Sequence, residues 1–333
     1  RLEVSGIGTR LVVQGNSAGR SGGGVAAFSA SSVVVSLGAR VDVIGNTAAY
    51  VHGGGFHLES QGTRLDVSGS GTRLVVQGNS AGHSGGGVLA WYASSVVISL
   101  GARVDVIGNT AVYMYGGGFH LESQGTRLDV SGSGTRLVVQ GNSAGHSGGG
   151  VLAWYASSVV ISLGARVDVI GNTCTAVNMY GGGLAINFKA RFVVTGIGTR
   201  LVVQGNSVGH AGGGVIVGFA SSLEISLGAR VDVLDNTAEL YGGGLYLAYQ
   251  DTRLDVSGIG TRLVVQGNSA GQHGGGMAIL SNAILRSTSS ILFQSNTALN
   301  GNGGGLAYDD LGGFAGIEDG GSNCVTLALH VKY

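Results

Sequence analysis

The amino-acid sequence predicts an all-β protein folded as a right-handed parallel β-helix, a solenoid with about ten rungs of roughly 31 residues and three strands in each rung. Three observations support this prediction. An asparagine recurs every 28 to 34 residues, a glycine triplet follows each of these asparagines, and short β-branched segments with alternating apolar and polar residues lie between them. No segment shows the 3.6-residue period of an amphipathic helix.

The repeat is the strongest of these signals. Gly53–Thr110 recurs letter for letter as Gly116–Thr173, at an offset of 63 residues, and weaker copies precede and follow this pair. Each 63-residue unit divides into two related halves, so that ten sub-repeats alternate between two types. Self-similarity of this kind is typical of solenoid proteins, in which each repeat contacts only its neighbours.

Each sub-repeat contains three strand-like segments. One type reads RLVVQGN, GGGVLAWY and SSVVISL, and the other reads RVDVIGN, GGGFHLES and TRLDVSG. In the second type Val104 and Val106 are expected to point inward and Asp105 outward, which is the period of a β-strand. Propeller blades need four strands over about 40 or more residues, so three strands in this length favour stacked coils.

The recurrent asparagines mark a corner at the end of a strand. Stacked over one another, their side-chain amides are expected to form a ladder of hydrogen bonds that satisfies polar groups at the bend. The glycine triplet that follows allows positive φ and close approach of neighbouring turns. The predicted structural asparagine ladder consists of Asn16, Asn46, Asn79, Asn109, Asn142, Asn172, Asn206, Asn236, Asn268 and Asn296.

One repeat resembles a known family. Phe293-Gln294-Ser295-Asn296, followed by Gly303-Gly304-Gly305-Leu306, is similar to the F-x-x-N and G-G-A-[ILV] repeats of the chlamydial polymorphic outer membrane proteins. The other nine copies carry Val or Leu in place of Phe, and all ten have GGG in place of GGA. The resemblance covers the chain to about Leu306. It implies a right-handed β-helix in a surface-exposed, adhesive autotransporter, although no outer-membrane barrel follows in this sequence.

Arginine and acidic residues form columns on two predicted outer faces. An arginine lies six residues before each of nine ladder asparagines, and Asp42, Asp105 and Asp168 follow two residues after every second one. A second face carries Arg64 with Asp66 and repeats the pairing further along the chain. We interpret both sets as solvated ion pairs that reduce repulsion between stacked charges, rather than as an acid–base site, because they recur in copy after copy.

A third face carries aromatic residues in alternation with acids. Outward tryptophans anchor many protein contacts, so this face is expected to bind another protein or to stack on sugar rings. Shielding of the rod by its own side chains is the equally weighted alternative. The candidate contact stripe consists of Phe28, Glu59, Trp91, Glu122, Trp154, His57 and His120.

Catalysis is not expected. His57 with Glu59 and His120 with Glu122 have the form of a base and its orienting group, but the two sets lie two rungs, or about 9.6 Å, apart. No nucleophile elbow, P-loop or HExxH motif is present, and no cofactor or metal is expected. A polysaccharide lyase or epimerase remains the alternative, on analogy of fold alone. An ice-binding rod would need a regular threonine array, which the sequence lacks.

The predicted array spans residues 1–308 and begins in the middle of a rung, and residues 309–333 form a non-repeat cap or a passage to a further domain. Cys174 and Cys324 are not expected to pair, since about four rungs separate Cys174 from the end of the array. The formal net charge is zero, which argues against nucleic acid, and the long uncharged runs are too rich in Gly, Ser and Asn to span a membrane.

The sequence therefore predicts a non-enzymatic structural or adhesive segment of a larger extracellular, cell-surface or filament-forming protein. Its expected partners are other copies of itself or other surface proteins, and glycans are a further candidate.

Overall fold

The computed structural model describes residues 1–176, 179–309, 314–317 and 325–326. In these residues every regular element is a β-strand, and the strands stack into four sheets, which we name A, B, C and D in the order in which the chain meets them. Each strand pairs in parallel with its copies in the rungs before and after it. The predicted all-β parallel β-helix of about ten rungs is confirmed.

Sheets A and B hold strands of four or five residues that carry the charged columns. Sheet A contains Leu2–Ser5, Ser32–Ser36, Arg64–Ser68, Ser95–Ser99, Arg127–Ser131, Ser158–Ser162, Arg191–Thr195, Ser222–Ser226, Arg253–Ser257 and Ile284–Ser287. Sheet B contains Arg10–Gln14, Arg40–Ile44, Arg73–Gln77, Arg103–Ile107, Arg136–Gln140, Arg166–Ile170, Arg200–Gln204, Arg230–Leu234, Arg262–Gln266 and Ser290–Gln294.

Sheets C and D follow the asparagine corner and the glycine triplet, respectively. Sheet C contains Ser17–Ala18, Thr47–Ala48, Ser80–Ala81, Thr110–Ala111, Ser143–Ala144, Thr173–Cys174, Ser207–Val208, Thr237–Ala238, Ser269–Ala270 and Thr297–Ala298. Sheet D contains Val25–Phe28, Phe56–Glu59, Val88–Trp91, Phe119–Glu122, Val151–Trp154, Leu184–Ile186, Val215–Gly218, Leu245–Ala248, Met277–Ile279 and Leu306–Asp309.

Sheet C adds a fourth strand to the three that the sequence predicts for each rung. Its strands are only two residues long, a serine or threonine followed in most rungs by alanine. The asparagine corner holds these two residues extended and in register, as in the pairing of Ser80 with Thr110 and of Ala81 with Ala111. A two-residue segment shows no measurable alternation, which is why the sequence pattern places it within the corner.

The interior of the rod is filled by columns of aliphatic side chains from sheets A, B and D. In sheet B, for example, Val76, Val106 and Val139 lie directly above one another and are fully buried. Because the register keeps each residue over its equivalent in the next rung, one alternating pattern fills the core along the whole length.

The glycine triplets let neighbouring rungs meet at the entrance to sheet D. Gly85 has a φ of +67°, and a Cβ placed on Gly87 would lie 2.6 Å from the Gly118 carbonyl oxygen and 3.1 Å from Asn109 Nδ2. A side chain at this position would therefore push adjacent rungs apart.

The chain reverses its pairing after the last parallel strand. Phe314–Ile317 pairs antiparallel with Leu306–Asp309, and Val325–Thr326 pairs antiparallel with Ser290–Gln294. Whether residues 309–333 act as a cap stays a prediction, because most of that segment lies outside the described residues. In the described part of the chain, no helix is long and apolar enough to cross a membrane.

Candidate functional site

The ladder asparagines lie at the corner between sheets B and C. The Nδ2 group of Asn142 donates hydrogen bonds to Asn172 Oδ1 at 3.0 Å and to the Val106 carbonyl of the preceding rung at 3.0 Å. Its backbone N–H donates to the same Asn172 Oδ1 at 2.9 Å. The same arrangement repeats from Asn46 to Asn268, where the residues are fully buried. A ladder of this kind satisfies buried polar groups and holds the register, which is a structural role.

The outer face of sheet B carries nine stacked arginines over four aspartates, Asp42, Asp105, Asp168 and Asp232. Asp105 shows the arrangement. Arg73, one rung earlier, donates to its Oδ2 through Nε at 3.1 Å and through Nη2 at 2.8 Å, and Arg103 donates to both carboxylate oxygens through Nε. Each of the four aspartates has an arginine on its own strand and another on the rung before it.

This face differs from the solvated ion pairs that the sequence analysis expects. The four aspartate side chains are 0 to 1% exposed, whereas the paired arginines remain 38 to 58% exposed. Two guanidinium groups and the flanking valines of neighbouring rungs cover each carboxylate. The exposed charged side chains of the sheet B strands are therefore all arginines, a property that net charge alone does not reveal.

The ion pairs on the outer face of sheet A are closer to the solvated pairs predicted from the sequence. Arg64 and Arg127 pair with Asp66 and Asp129, whose side chains are 23% and 20% exposed. Further along the same face, Arg191 donates two hydrogen bonds to the carboxylate of Glu224. This contact lowers the pKa of Glu224 and raises the pKa of Arg191.

A shallow groove lies around this last pair, lined also by Arg253, Asp255, Arg286 and serine hydroxyl groups. Its acids are held by arginines, and the described residues contain no group of three or more His, Cys, Asp or Glu side chains placed to hold a metal ion.

The predicted contact stripe lies on the outer face of sheet D. Phe28 is the most exposed of its members, and Glu59, Glu122, Trp91 and Trp154 are half-buried. His57 and His120 are buried, at 2% and 1% exposure, so a partner could not reach them without rearrangement. The stripe is therefore covered in part by its own side chains.

The two buried histidines have no hydrogen-bond partner for either ring nitrogen within the described residues. The Nε2 atom of His57 lies 3.2 Å from Glu59 Oε2, but the two do not form a hydrogen bond. Burial lowers the pKa of His57 to about 4, with a further contribution from His52, and lowers that of His120 to about 3. Burial also raises the pKa of Glu122. These histidines are therefore neutral at physiological pH, and neither is oriented as a general base.

Aromatic residues that the sequence analysis did not single out surround the stripe. The Trp154 indole contacts Tyr115 at 4.1 Å and Phe188 at 5.4 Å between ring centroids. Phe219 stacks on Phe188 of the preceding rung at 4.4 Å and on Tyr249 of the following rung at 3.9 Å, so that a ring covers each of its faces. Phe188, Phe219 and Tyr249 each lie five residues after the last glycine of a triplet, and this constant spacing in the sequence could have identified them.

Cys174 is buried beside the longest loop, and its thiol donates to the Gly181 carbonyl at 3.3 Å. Burial raises the pKa of this thiol to about 12, so it is not a reactive nucleophile. Cys324, and with it the expectation that the two cysteines do not pair, lies outside the described residues.

Comparison with known proteins finds one outer membrane protein with a region of similar sequence. No family model matches the chain. The probable outer membrane protein pmp20 of Chlamydia pneumoniae is 34% identical over 114 residues, which is 34% of this chain and 6% of that protein. This match confirms that the chain carries a β-helix repeat like that of the polymorphic outer membrane proteins. A crystal structure of a hyper-glycosylated TibA fragment covers 87% of this chain and 97% of its own, at 17% identity and a TM-score of 0.20, too low to support a structural argument.

Proposed function

We propose that this chain is a rigid rod segment of a larger cell-surface or extracellular protein and that it acts through contacts along its outer faces rather than by catalysis. The observation that carries the proposal is the continuous register of the rungs. Parallel pairing in four sheets and an unbroken asparagine ladder fix ten rungs into one stiff unit. Such a unit displays the same residue column at each step of about 4.8 Å.

The similarity to an outer membrane protein supports a location at the cell surface. The matched region is only 6% of that relative's length, so the larger protein is part of the proposal. The aspartates of sheet B are held by arginines, and His57 and His120 are buried with no hydrogen-bond partner among the described residues, which supports a non-enzymatic role.

Adhesion is assigned to the contact stripe of sheet D. The exposed ring of Phe28 and the half-buried tryptophans and glutamates of the stripe offer apolar and polar groups to another surface protein. Sugar stacking has less support, because several rings of this face stack on one another.

The double variant Trp91→Ser and Trp154→Ser tests this assignment. We expect it to lose self-association and binding to surface proteins, while circular dichroism shows that the β-fold is kept. The matched control is Tyr50→Ser with Tyr113→Ser, which removes two exposed aromatic side chains from the loops between sheets C and D. Equal binding by the wild type and the tryptophan variant would contradict the assignment.

A further inference from the structure

The corner between sheets A and B carries a single file of exposed aliphatic side chains. We name it the aliphatic ridge, and its members are 66 to 100% exposed: Ile7, Leu37, Leu100, Leu163, Ile197, Leu227 and Ile259. Ser70 and Ser133 occupy the equivalent position in two rungs. From Ile7 to Ile259 the ridge crosses eight rung steps, or about 38 Å.

The turn at this corner does not require leucine. Leu100 has a φ of +55° and Gly101 a φ of +83°, as in the two-residue turns that favour Asn-Gly. The backbone is held instead by Thr135 of the next rung, whose Oγ1 accepts a hydrogen bond from the Gly101 N–H at 2.9 Å. Leucine is disfavoured at positive φ, and its exposed side chain makes no contribution to the core. The fold therefore gives no reason for an aliphatic residue here.

The ridge borders the cationic face of sheet B. An arginine follows three residues after each ridge position, as Arg103 follows Leu100 and Arg166 follows Leu163. These guanidinium groups are exposed, while the aspartates that they bind are buried beneath them. On the other side of the ridge lies a column of serine and threonine hydroxyls that ends the strands of sheet A. Aliphatic side chains are thus flanked by cations on one side and small polar groups on the other.

We propose that the aliphatic ridge and the adjoining arginines of sheet B form a binding surface for an anionic lipid bilayer. The aliphatic side chains enter the interface between head groups and acyl chains, and the guanidinium groups bind the acidic head groups. The rod lies along the membrane surface and does not cross it.

The shape of the ridge favours a lipid surface over a second copy of the chain. Stable protein interfaces use a patch of about 20 to 30 residues on each side, and two convex single files would touch only along a line. A fluid bilayer closes around a protruding side chain, so a single file is sufficient. The exposed charged side chains of the sheet B strands are also all arginines, which suits an acidic lipid surface.

Vesicle flotation of the 333-residue chain tests the proposal. The ridge variant combines Leu100→Asn, Leu163→Asn and Leu227→Asn with Ile197→Ser and Ile259→Ser. Asparagine suits the positive φ of the leucine positions, and serine already occupies this place at Ser70 and Ser133. The variant is therefore expected to melt no lower than the wild type.

We expect the wild type to float with vesicles of equal parts phosphatidylcholine and phosphatidylglycerol, and to bind less to phosphatidylcholine alone and at high salt. The ridge variant should lose on the order of tenfold in partitioning. The control, Tyr50→Ser with Tyr113→Ser and Leu299→Ser, removes exposed apolar side chains elsewhere and should bind as the wild type does.

Three results would overturn the proposal. The wild type could fail to bind anionic vesicles, or the folded ridge variant could bind them as well as the wild type. Light scattering could instead show that the ridge variant dissociates an oligomer while neither protein binds vesicles, which would make the ridge a contact between copies.

Discussion

The outer faces of sheets B and D bury titratable groups in different ways. On sheet B, Asp105 accepts hydrogen bonds from two arginines, and valines occupy the equivalent position in the rungs before and after it. On sheet D, His120 alternates with leucines in the same manner, but neither ring nitrogen has a hydrogen-bond partner among the described residues. The repeat places an aspartate in every second rung of sheet B from Asp42 to Asp232, whereas the sheet D column carries histidine only at His57 and His120.

This contrast lies in the partners that each buried group has. The guanidinium groups supply the aspartate with opposite charge and hydrogen bonds, which offset the cost of removing the carboxylate from water. The histidines gain no such partner, and desolvation keeps them neutral. The two faces should therefore respond differently to pH and to substitution.

Acidification should have the largest effect, and it acts through sheet D. The pKa of His57 is lowered from 6.5 to about 4, and that of His120 to about 3. Below pH 6.5 the unfolded chain binds protons that the folded chain does not, so the free energy of unfolding falls until about pH 4 for His57 and about pH 3 for His120. Each buried histidine should contribute a loss of about 3 kcal/mol over this window. Urea unfolding at pH 7.5, 5.5 and 4.5 measures it.

A matched variant separates the histidines from other acid effects. Leu89 and Leu152 occupy the same column as His57 and His120, so His57→Leu with His120→Leu uses residues that the rod already accepts there. This double variant should lose a large part of the stability change between pH 6.5 and 4, while His52, whose pKa burial also lowers to about 4, keeps its own part. If the free energy of unfolding of this variant changed with pH as steeply as that of the wild type, protonation of His57 and His120 would not be the cause of the acid sensitivity.

Removal of one carboxylate charge from sheet B should have the next largest effect. Asp105→Asn weakens the bonds from two arginines beneath the surface and should lower the free energy of unfolding by about 2 to 3 kcal/mol at pH 7.5. The control is Asp129→Asn on sheet A, which removes one partly exposed pair and should cost less than about 1 kcal/mol. Similar losses in the two variants would show that burial adds nothing to the sheet B pairs.

Much of the fold follows from periodicity in the sequence. The asparagine spacing, the glycine triplets and the alternation in segments such as RVDVIGN are local signals, and stacking repeats them in register. The two-residue strands of sheet C escape prediction, because alternation cannot be recognised in a segment as short as Ser80–Ala81.

The sites are less predictable, because burial on an outer face depends on neighbouring rungs. The pattern places Asp105 and His120 on outer faces, but it does not show that Arg73 covers the first or that rings such as Tyr115 cover the second. In the same way, the exposure of Leu100 depends on a corner that protrudes between two sheets. The two-residue period of a strand shows which face a residue lies on, but it does not show which long side chains from neighbouring rungs cover that residue.

The smallest predicted effect sharpens the comparison within sheet D. Trp91 and Trp154 lie at the same place in the two identical 63-residue-spaced copies, but their neighbours differ. Trp154 contacts the rings of Tyr115, His120, Tyr155 and Phe188, whereas Trp91 contacts those of His52 and Tyr92.

Because each ring pair contributes about 0.5 to 1.5 kcal/mol, Trp154→Leu should lower the free energy of unfolding by about 1 to 2 kcal/mol more than Trp91→Leu does. Thermal and urea unfolding of the two single variants at pH 7.5, where the histidines are neutral, measures the difference. If the two variants lost the same free energy of unfolding, the contribution of each tryptophan would depend only on residues within the repeated segment. A larger loss for Trp154 would show that Tyr115 and Phe188, which lie outside the copied segment, give sheet D an aromatic cluster that the repeat itself does not encode.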